Sequence, residues 1–317
     1  MLLLQYHNLL IQSILTDRFS GDSLPTAIDQ VISDFDNVTF HISTPESRTK
    51  IQISLAIKCF PDLARYGANE VLAREYGEYA ISPPEPGYDF SMVVDVEKLP
   101  ESAEEREQLV DKIALLKRNA LAAPFERAFA QFDTLAAEAA KNALDLSVPE
   151  DSGSEVMAVH YRDEESIYIR AAHDRVTVIF STVFREETDR VFGKVFLQEF
   201  VDARRRAIQN APQVLYSNKE APLEIRRAPG FKPSEDVGYV TFVLFPRHLL
   251  PARRENCISH IQIFRDYFHY HIKCSKAYMH SRMRYRVAEF LKVLNRAKPE
   301  VAEKERKTAT GRRFGPR

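Results

Sequence analysis

The chain has 317 residues, and its 44 lysines and arginines nearly balance 45 aspartates and glutamates, giving a formal charge of −1. With 44% hydrophobic and 28% charged residues, the composition is typical of a folded globular protein and excludes a disordered or fibrous one. From Arg253 to the end, however, 17 basic residues stand against 6 acidic ones, while the preceding part holds the remaining 27 basic and 39 acidic residues. This asymmetry indicates an acidic partner for the C-terminal end.

Three further features narrow the class of protein. The apolar opening, Met1–Leu4, lacks a basic region and is soon interrupted by polar residues, so we do not expect a signal peptide. No apolar run approaches the ~20 residues that span a bilayer, and we expect no membrane insertion. The three cysteines, Cys59, Cys257 and Cys274, are too few and too scattered for a disulfide framework. These features predict a cytoplasmic protein with reduced thiols.

The first part of the chain predicts the element order α-β-β-β-α-β-β-α. The first helix has an apolar stripe at helical spacing, and the third strand alternates isoleucines and leucine with period two. Pro61 suits the first turn of the second helix. The predicted helices are Leu3–Phe19, Pro61–Tyr76 and Glu101–Asn119, and the predicted strands are Ala27–Ser33, Val38–Ser43, Ile51–Cys59, Glu78–Ser82 and Tyr88–Val96.

The second part predicts the same order. An alanine-rich helix comes first, and the third strand is a run of valine, isoleucine and phenylalanine with high strand propensity. The predicted helices are Pro124–Leu144, Asp189–Arg206 and Ala252–Ala297, and the predicted strands are Val156–Tyr161, Ser166–Arg170, Arg175–Phe184, Gln213–Ser217 and Tyr239–Phe245.

The repeated order predicts an α+β fold made by tandem duplication of an α-β3-α-β2-α module, a two-layer α/β unit, followed by a long C-terminal helix. A short sequence echo supports the duplication, because Gly87–Pro100 and Gly238–Pro251 both begin with Gly-Tyr and end with Leu-Pro. The predicted boundaries are 1–122 and 123–251 for the two modules, with a flexible link at 148–155, then 252–298 for the helix and 299–317 for a basic tail.

The last predicted helix is longer than its own module can cover. At 1.5 Å per residue its ~45 residues extend roughly 68 Å, whereas a module of this size is only about 30 to 40 Å across. Its apolar residues recur at steps of three and four along the whole length. Part of this stripe must therefore pack against the first module or against another polypeptide, and a protein partner is favoured.

Motifs for catalysis or cofactor binding are missing from the sequence. The ten glycines form neither a GxGxxG turn nor a P-loop, and there is no HExxH, GxSxG or CxxC. His269, His271, Cys274 and His280 share the last helix, but their spacing does not close a zinc site. The acidic clusters Asp163–Glu165 and Glu186–Asp189 follow strands and are interpreted as solvated loops. We expect no enzyme, no cofactor and no metal.

Basic residues gather on the last helix and in the tail, and three interpretations remain open. They form a solvated helix face, they bind an acidic protein surface, or they belong to a nucleic-acid-binding module. Aromatic residues around glycine, as an RNA-binding sheet displays them, are missing from the strands. An acidic protein is therefore favoured, with the nucleic-acid-binding module as the alternative.

Several segments resemble the family of subunit 2 of the actin-related protein 2/3 complex. The resemblance covers nearly the whole chain and is most specific from Val156 onward; it is looser before Ser33 and between Gln131 and Gly153. The segments that carry it are Asp34–Asp36, Phe40–Ser43, Tyr66–Ala68, Leu116–Asn119, Arg175–Phe184, Gly193–Phe200, Ala211–Leu215, Gly238–His248, Phe264–Tyr278, Phe290–Arg296 and Thr310–Gly311.

The resemblance implies a non-enzymatic scaffold subunit with two similar α/β modules and a long C-terminal helix. It implies pairing with subunit 4 in the core of a seven-subunit assembly that holds the two actin-related subunits and contacts the side of a mother actin filament, from which a branch grows. It also implies a cytoplasmic location in cortical actin structures. No nucleic acid is then expected as a partner.

The basic and apolar residues of the last helix supply candidate sites for these roles. We expect actin-filament contacts among Lys273, Lys276, Arg282, Arg284, Lys292 and Arg296. We expect the interface with the partner subunit among Phe264, Phe268, Ile272, Met279, Met283, Val287, Leu291 and Leu294.

Overall fold

The structure is a computed structural model that describes residues 4–20, 25–141, 153–226, 228, 231 and 236–297. The chain divides into two compact units, Met1–Ile272 and Lys273–Arg317. The first unit contains both β-sheets, and the second contains the last turns of the C-terminal helix. Of the predicted link 148–155 only residues 153–155 are described, and the predicted tail 299–317 lies outside the described residues.

The first sheet is antiparallel, with strand order β1-β2-β3-β4. Ile51, Ile53, Leu55 and Ile57 of β3 are all buried, which confirms the predicted period-two alternation. The elements of this part are α1 (Leu9–Phe19), β1 (Asp29–Asp34), β2 (Val38–Ser43), β3 (Lys50–Ile57), α2 (Phe60–Arg65), α3 (Ala68–Tyr76), β4 (Phe90–Asp95) and α4 (Ala103–Ala114).

The first helix begins at Leu9 instead of Leu3, and the helix expected over Glu101–Asn119 ends at Ala114, where a further helix, α5 (Leu116–Lys141), follows. Two further predictions for this part are wrong. The helix expected over Pro61–Tyr76 is broken at Gly67, whose φ of 104° lies in the left-handed region that glycine tolerates best. The strand expected over Glu78–Ser82 forms only an isolated bridge between Ala80 and Met92. Pro83 and Pro84 follow at once, and proline has no N–H to donate to a strand ladder, so the pairing does not continue.

A histidine links the edge of the first sheet to the loop before β4. His41 Nδ1 lies 2.7 Å from Glu85 Oε1 and its Nε2 lies 2.9 Å from Asp29 Oδ1. Its ring stacks on Tyr88 at 5.7 Å between centroids. Burial acts to lower the pKa of His41, but its hydrogen bonds to the two carboxylates outweigh burial and raise that pKa above its ordinary value.

The second sheet is also antiparallel, with strand order β5-β6-β7-β9-β8. Its centre is the pair β7 and β9, in which nearly every residue is buried, as the apolar run at Arg175–Phe184 predicts. The elements of this part are α5 (Leu116–Lys141), β5 (Met157–Val159), β6 (Ile167–Ala171), β7 (Val176–Val183), α6 (Glu187–Arg206), β8 (Gln213–Asn218), β9 (Val237–Leu244) and α7 (Pro251–Arg296).

Helix α5 belongs to the hydrophobic cores of both sheets. Leu116 and Ala120 pack in the core of the first sheet, whereas Phe125 and Phe129 pack in that of the second. The helix runs through Pro124, where the sequence predicts the start of a separate helix. The predicted boundary between residues 122 and 123 therefore falls inside one continuous helix.

The fold is thus mixed α/β, with two antiparallel sheets and a long C-terminal helix. The tandem duplication stays a prediction. In its favour, β3 pairs with β4 as β7 pairs with β9. Against a simple copy, Gly87 lies in a loop with φ of 89°, whereas Gly238 lies inside β9, so the Gly-Tyr echo does not fall on equivalent backbone.

Candidate protein-interaction surface

The first part of α7 is buried against the second sheet. Its ring contacts include Phe264 with Phe242, at 4.6 Å between centroids, and Phe268 with Phe184, at 6.0 Å. Gly193 of α6 lets this helix pass close by, because a Cβ there would meet the Phe268 ring at 2.9 Å. Sequence spacing alone indicates this apolar face and does not show what covers it.

This burial corrects part of the predicted partner interface. Phe264, Phe268 and Ile272 are all buried in the core of the second sheet, so the chain itself already covers them. Their periodicity is the same as that of the exposed residues farther along the helix, which is why the sequence does not separate the two groups. The interface prediction therefore narrows to the remaining five residues, Met279, Met283, Val287, Leu291 and Leu294.

A buried charge network ties α7 to both sheets. Arg265 donates to Glu165 Oε2 from Nε at 3.1 Å and from Nη2 at 2.7 Å. Glu165 precedes β6, and its Oε1 accepts from the backbone N–H of Val183, in β7, at 3.1 Å. Arg265 also reaches Asp36, in the turn after β1, at 3.5 Å. One guanidinium thus links α7, the first sheet and the second.

The network continues around Arg265. Arg162 donates to Asp36 at 2.9 Å, and the Tyr161 ring lies 5.8 Å from the Arg265 guanidinium carbon. Asp266 lies 3.4 Å from Arg265, and burial raises its pKa to about 6. Charges packed together in this way are held by mutual pairing, since an unpaired buried charge is costly.

These residues correct two sequence interpretations. Glu165 belongs to an acidic cluster that we interpreted as a solvated loop, yet its exposure is only 6%. Arg265 is one of the basic residues of the last helix, which we expect on a solvated or partner-binding face, yet it is buried. The available signal is helical spacing, because Arg265 lies four residues after Ile261 and three before Phe268, both of which are buried.

Beyond Ile272 the apolar side chains of α7 are exposed. Met279, Met283, Val287, Leu291 and Leu294 range from 45% to 60% exposed. Their spacing of four, four, four and three residues places them in one stripe. Phe290 and Val293 add further exposed apolar surface. Large apolar side chains at regular spacing on a surface are typical of a protein-interaction site.

The six predicted filament-binding residues do not share one face of the helix. At about 100° per residue, the apolar stripe covers an arc of about 120° measured from Met279. Lys276, Lys273 and Arg284 fall near about 60°, 120° and 140°, within or beside the stripe. Arg282, Lys292 and Arg296 fall between about 220° and 300°, on the opposite side.

Local contacts order some of these basic side chains. Arg282 donates to the Tyr278 hydroxyl at 2.7 Å and lies 5.5 Å from the centroid of its ring. Lys292 pairs with Glu289 at 2.7 Å. Such exposed pairs are weak and screened by salt, so they leave the positive potential of this face largely available to a partner.

Other kinds of site find little support in the described residues. No group of three histidine, cysteine or acidic residues there is arranged to hold a metal ion. His271, one of the four residues weighed as ligands, stacks on Phe196 at 5.0 Å instead. Burial raises the pKa of the Cys59 thiol to about 12, which keeps it protonated. None of the helices in the described ranges combines the length and apolar character needed to cross a bilayer.

Comparison with known proteins identifies the family. The sequence model described as "Arp2/3 complex, 34 kD subunit p34-Arc" matches residues 53–301, well over half of the chain. The chain belongs to the p34-Arc family. The matched range includes the end of β3, the whole second sheet and all of α7, and so contains the exposed stripe and, apart from Asp36, the charge network around Arg265.

Two curated relatives agree with the p34-Arc match. Both are named "Actin-related protein 2/3 complex subunit 2". The one from Schizosaccharomyces pombe is 60% identical over 318 aligned residues, and the one from Dictyostelium discoideum is 36% identical over 315. In each case the alignment covers 99% of this chain and 99% of the relative. The expected relationship to this family is confirmed.

Proposed function

We propose that this chain is a non-catalytic structural subunit of the actin-related protein 2/3 complex, acting in the cytoplasm at cortical actin structures. The observation that carries the proposal is the 60% identity, over the whole length of both chains, to a relative named as subunit 2 of that complex. The match leaves no large unmatched segment in either protein, which supports the same role in the same assembly.

The partner of the exposed stripe on α7 is proposed to be subunit 4. The proposal is supported by the resemblance to the subunit 2 family, which implies pairing with subunit 4, and by five exposed apolar side chains, Met279, Met283, Val287, Leu291 and Leu294. Obligate subunit interfaces are large and hydrophobic, and removing such side chains from water stabilises the pair by about 25 cal/mol per Å². Together the two chains would form the core that holds the two actin-related subunits and the remaining subunits.

The basic side of α7 is proposed to contact the mother filament. Actin filaments are acidic, so a positive surface steers and holds the complex against them. Arg282, Lys292 and Arg296 lie away from the apolar stripe on the helix, so they remain available when subunit 4 covers it. Lys273, Lys276 and Arg284 lie within or beside the stripe, and for them we propose contacts at its margin. By contacting the side of the mother filament, the complex would support nucleation of a branch there.

Affinity purification tests the proposed assembly. A tagged full-length chain, expressed in its own host cell, is expected to recover six other subunits, two of them actin-related, by mass spectrometry. Leu291→Asp on the stripe should lose them, whereas Val191→Asp, at an equally exposed apolar site on α6, should retain them. Recovery of nucleic acid without actin-related proteins would instead favour the nucleic-acid-binding module.

A further inference from the structure

The two sheets have four outer edges, and the chain covers or blunts three of them. Beside β4, the N–H of Ile81 donates to Ser91 O at 3.0 Å, and the N–H of Val93 donates to Tyr79 O at 2.9 Å. At β5, the N–H of Ala158 donates to the Tyr66 hydroxyl at 3.0 Å. Strand β1 (Asp29–Asp34) carries a charged residue at each end, a common device against edge pairing. The remaining edge is β8.

The backbone of β8 has hydrogen-bonding groups directed away from its only neighbour. The N–H of Lys219 donates to Val237 O at 3.2 Å, and continuing this register puts Ser217 and Leu215 in hydrogen-bonded pairs with β9. The N–H and C=O groups of Val214 and Tyr216 therefore point to the open side. Within the described ranges, no other group hydrogen-bonds to them.

The side chains of β8 do nothing to protect this edge. Its sequence, Gln-Val-Leu-Tyr-Ser-Asn, contains no charge, no proline and no glycine. Leu215 is 49% exposed, and the buried Ser217 hydroxyl on the same face has no hydrogen-bond partner among the described residues. An exposed, uncharged edge with an apolar side chain is the arrangement to which an extended peptide adds as a further strand.

Basic residues gather at the Gln213 end of this edge. Arg205 and Arg206 are exposed in the last turn of α6, which packs on β8. Arg247 donates to Gln209 O at 3.4 Å, close to the start of the strand. At the other end the adjacent Lys219 and Glu220 carry opposite charges. The edge therefore carries a positive charge at its Gln213 end and no net charge at its other end.

We propose that β8 binds an extended, acidic segment of another protein, which adds to the second sheet as a sixth strand with its carboxylates toward Arg205 and Arg206. The open backbone groups would supply the binding, and the basic cluster would select the charge. A second copy of this chain fits less well. Antiparallel pairing of two β8 strands would place each basic cluster opposite Lys219 and Glu220, whose charges cancel.

Amide hydrogen exchange on the full-length chain tests the proposal, with an eight-residue peptide of alternating glutamate and valine as the probe. The peptide is expected to slow exchange at Val214 and Tyr216. A lysine–valine peptide of the same pattern, and a glutamate–valine peptide with a central proline, are expected to have no effect. Protection that is equal with the lysine peptide, or that appears elsewhere in the chain, would overturn the proposal.

Substitutions distinguish specific binding at the β8 edge from nonspecific attraction between charges. Arg205→Glu combined with Arg206→Glu should weaken binding of the acidic peptide by about tenfold through lost electrostatic complementarity. Leu215→Asp should also weaken it, whereas Leu223→Asp, 75% exposed and outside the strand, should not. Circular dichroism of each variant verifies folding. Unchanged binding of the acidic peptide to the folded charge-reversal variant would refute an acidic segment as the partner of β8. Slow amide exchange at β8 without peptide, caused by dimers that form at higher protein concentration, would refute it as well.

Discussion

Replacing Glu165 by glutamine removes one charge from the buried network and keeps the shape of the side chain. The glutamine carbonyl can still accept from the N–H of Val183, so the local backbone contact is preserved. The loss falls on the two hydrogen bonds from Arg265, at 3.1 and 2.7 Å, which become contacts with a neutral amide. The variant therefore tests the charge pair itself.

The size of the effect follows from the burial of both partners. Removing one partner of a buried ion pair costs about 3–5 kcal/mol, because the other charge is left without compensation. Arg265 keeps Asp36 at 3.5 Å and Asp266 at 3.4 Å, so the expected loss lies at the lower end, about 3 kcal/mol. For a chain that loses about 3 kcal/mol of stability per molar urea, the midpoint would fall by about 1 M.

Urea unfolding of the full-length chain, followed by far-UV circular dichroism at pH 7, measures this loss. Asp174→Asn is the matched control, because its pair with Arg175 has a similar distance, 2.7 Å, but its side chains are 40% and 48% exposed. An exposed pair contributes about 0–1 kcal/mol, so the control midpoint should barely move. Equal shifts for the two variants, or an unchanged midpoint for Glu165→Gln, would refute the argument that burial makes this network structural.

Three further predictions follow from the described contacts. Arg282→Glu combined with Arg296→Glu should reduce cosedimentation of the assembled complex with actin filaments and make the residual binding less sensitive to salt, because fewer attractive charge contacts remain to be screened; binding of the unaltered complex that does not change between 50 and 200 mM salt would contradict the proposed contact. Leu291→Asp, at a site 49% exposed, should abolish co-purification of subunit 4 while changing the stability of the isolated chain by no more than about 0.5 kcal/mol. Phe268→Ala should instead lower the free energy of unfolding, measured by chemical denaturation, by about 3–5 kcal/mol, because that ring is fully buried. His41→Asn should destabilise the chain more at pH 5.5 than at pH 8.5. The pKa of His41 is raised in the folded state, so protonated His41 stabilises the fold below its ordinary pKa of 6.5, and this stabilisation is lost as the pH rises through the folded-state pKa. An equal fall of the thermal midpoint at both pH values would count against the prediction.

Much of the local structure was predictable because it depends on neighbours along the chain. The alternation over Ile51–Cys59 predicted β3, and the helical spacing after Ala252 predicted α7 to within a residue or two at its ends. The error at Pro61–Tyr76 had a visible cause, since Gly67 is the residue that best tolerates a left-handed backbone. Helix α5 was divided in two because Pro124 usually marks the start of a helix, not its interior.

The charge network was not predictable, since its members are far apart in sequence. Asp36, Glu165 and Arg265 are separated by about a hundred residues or more, and Asp36 and Glu165 lie in turns that are ordinarily solvated. Local pattern assigns a charged residue to the surface by default, because burial is costly unless a partner is present. Only the packing of α7 against the second sheet, beside the turn after β1, brings those partners together.

The sequence by itself determined the family, the helical stripe of α7 and the excess of positive charge in the same region. Only the tertiary structure decided that the stripe changes role at Ile272, with the chain's own sheet covering Phe264 and Phe268 and leaving Met283 and Leu291 exposed. The physical reason is that periodicity shows which face of a helix avoids water. It carries no information about which surface, from the same chain or another, removes that face from water.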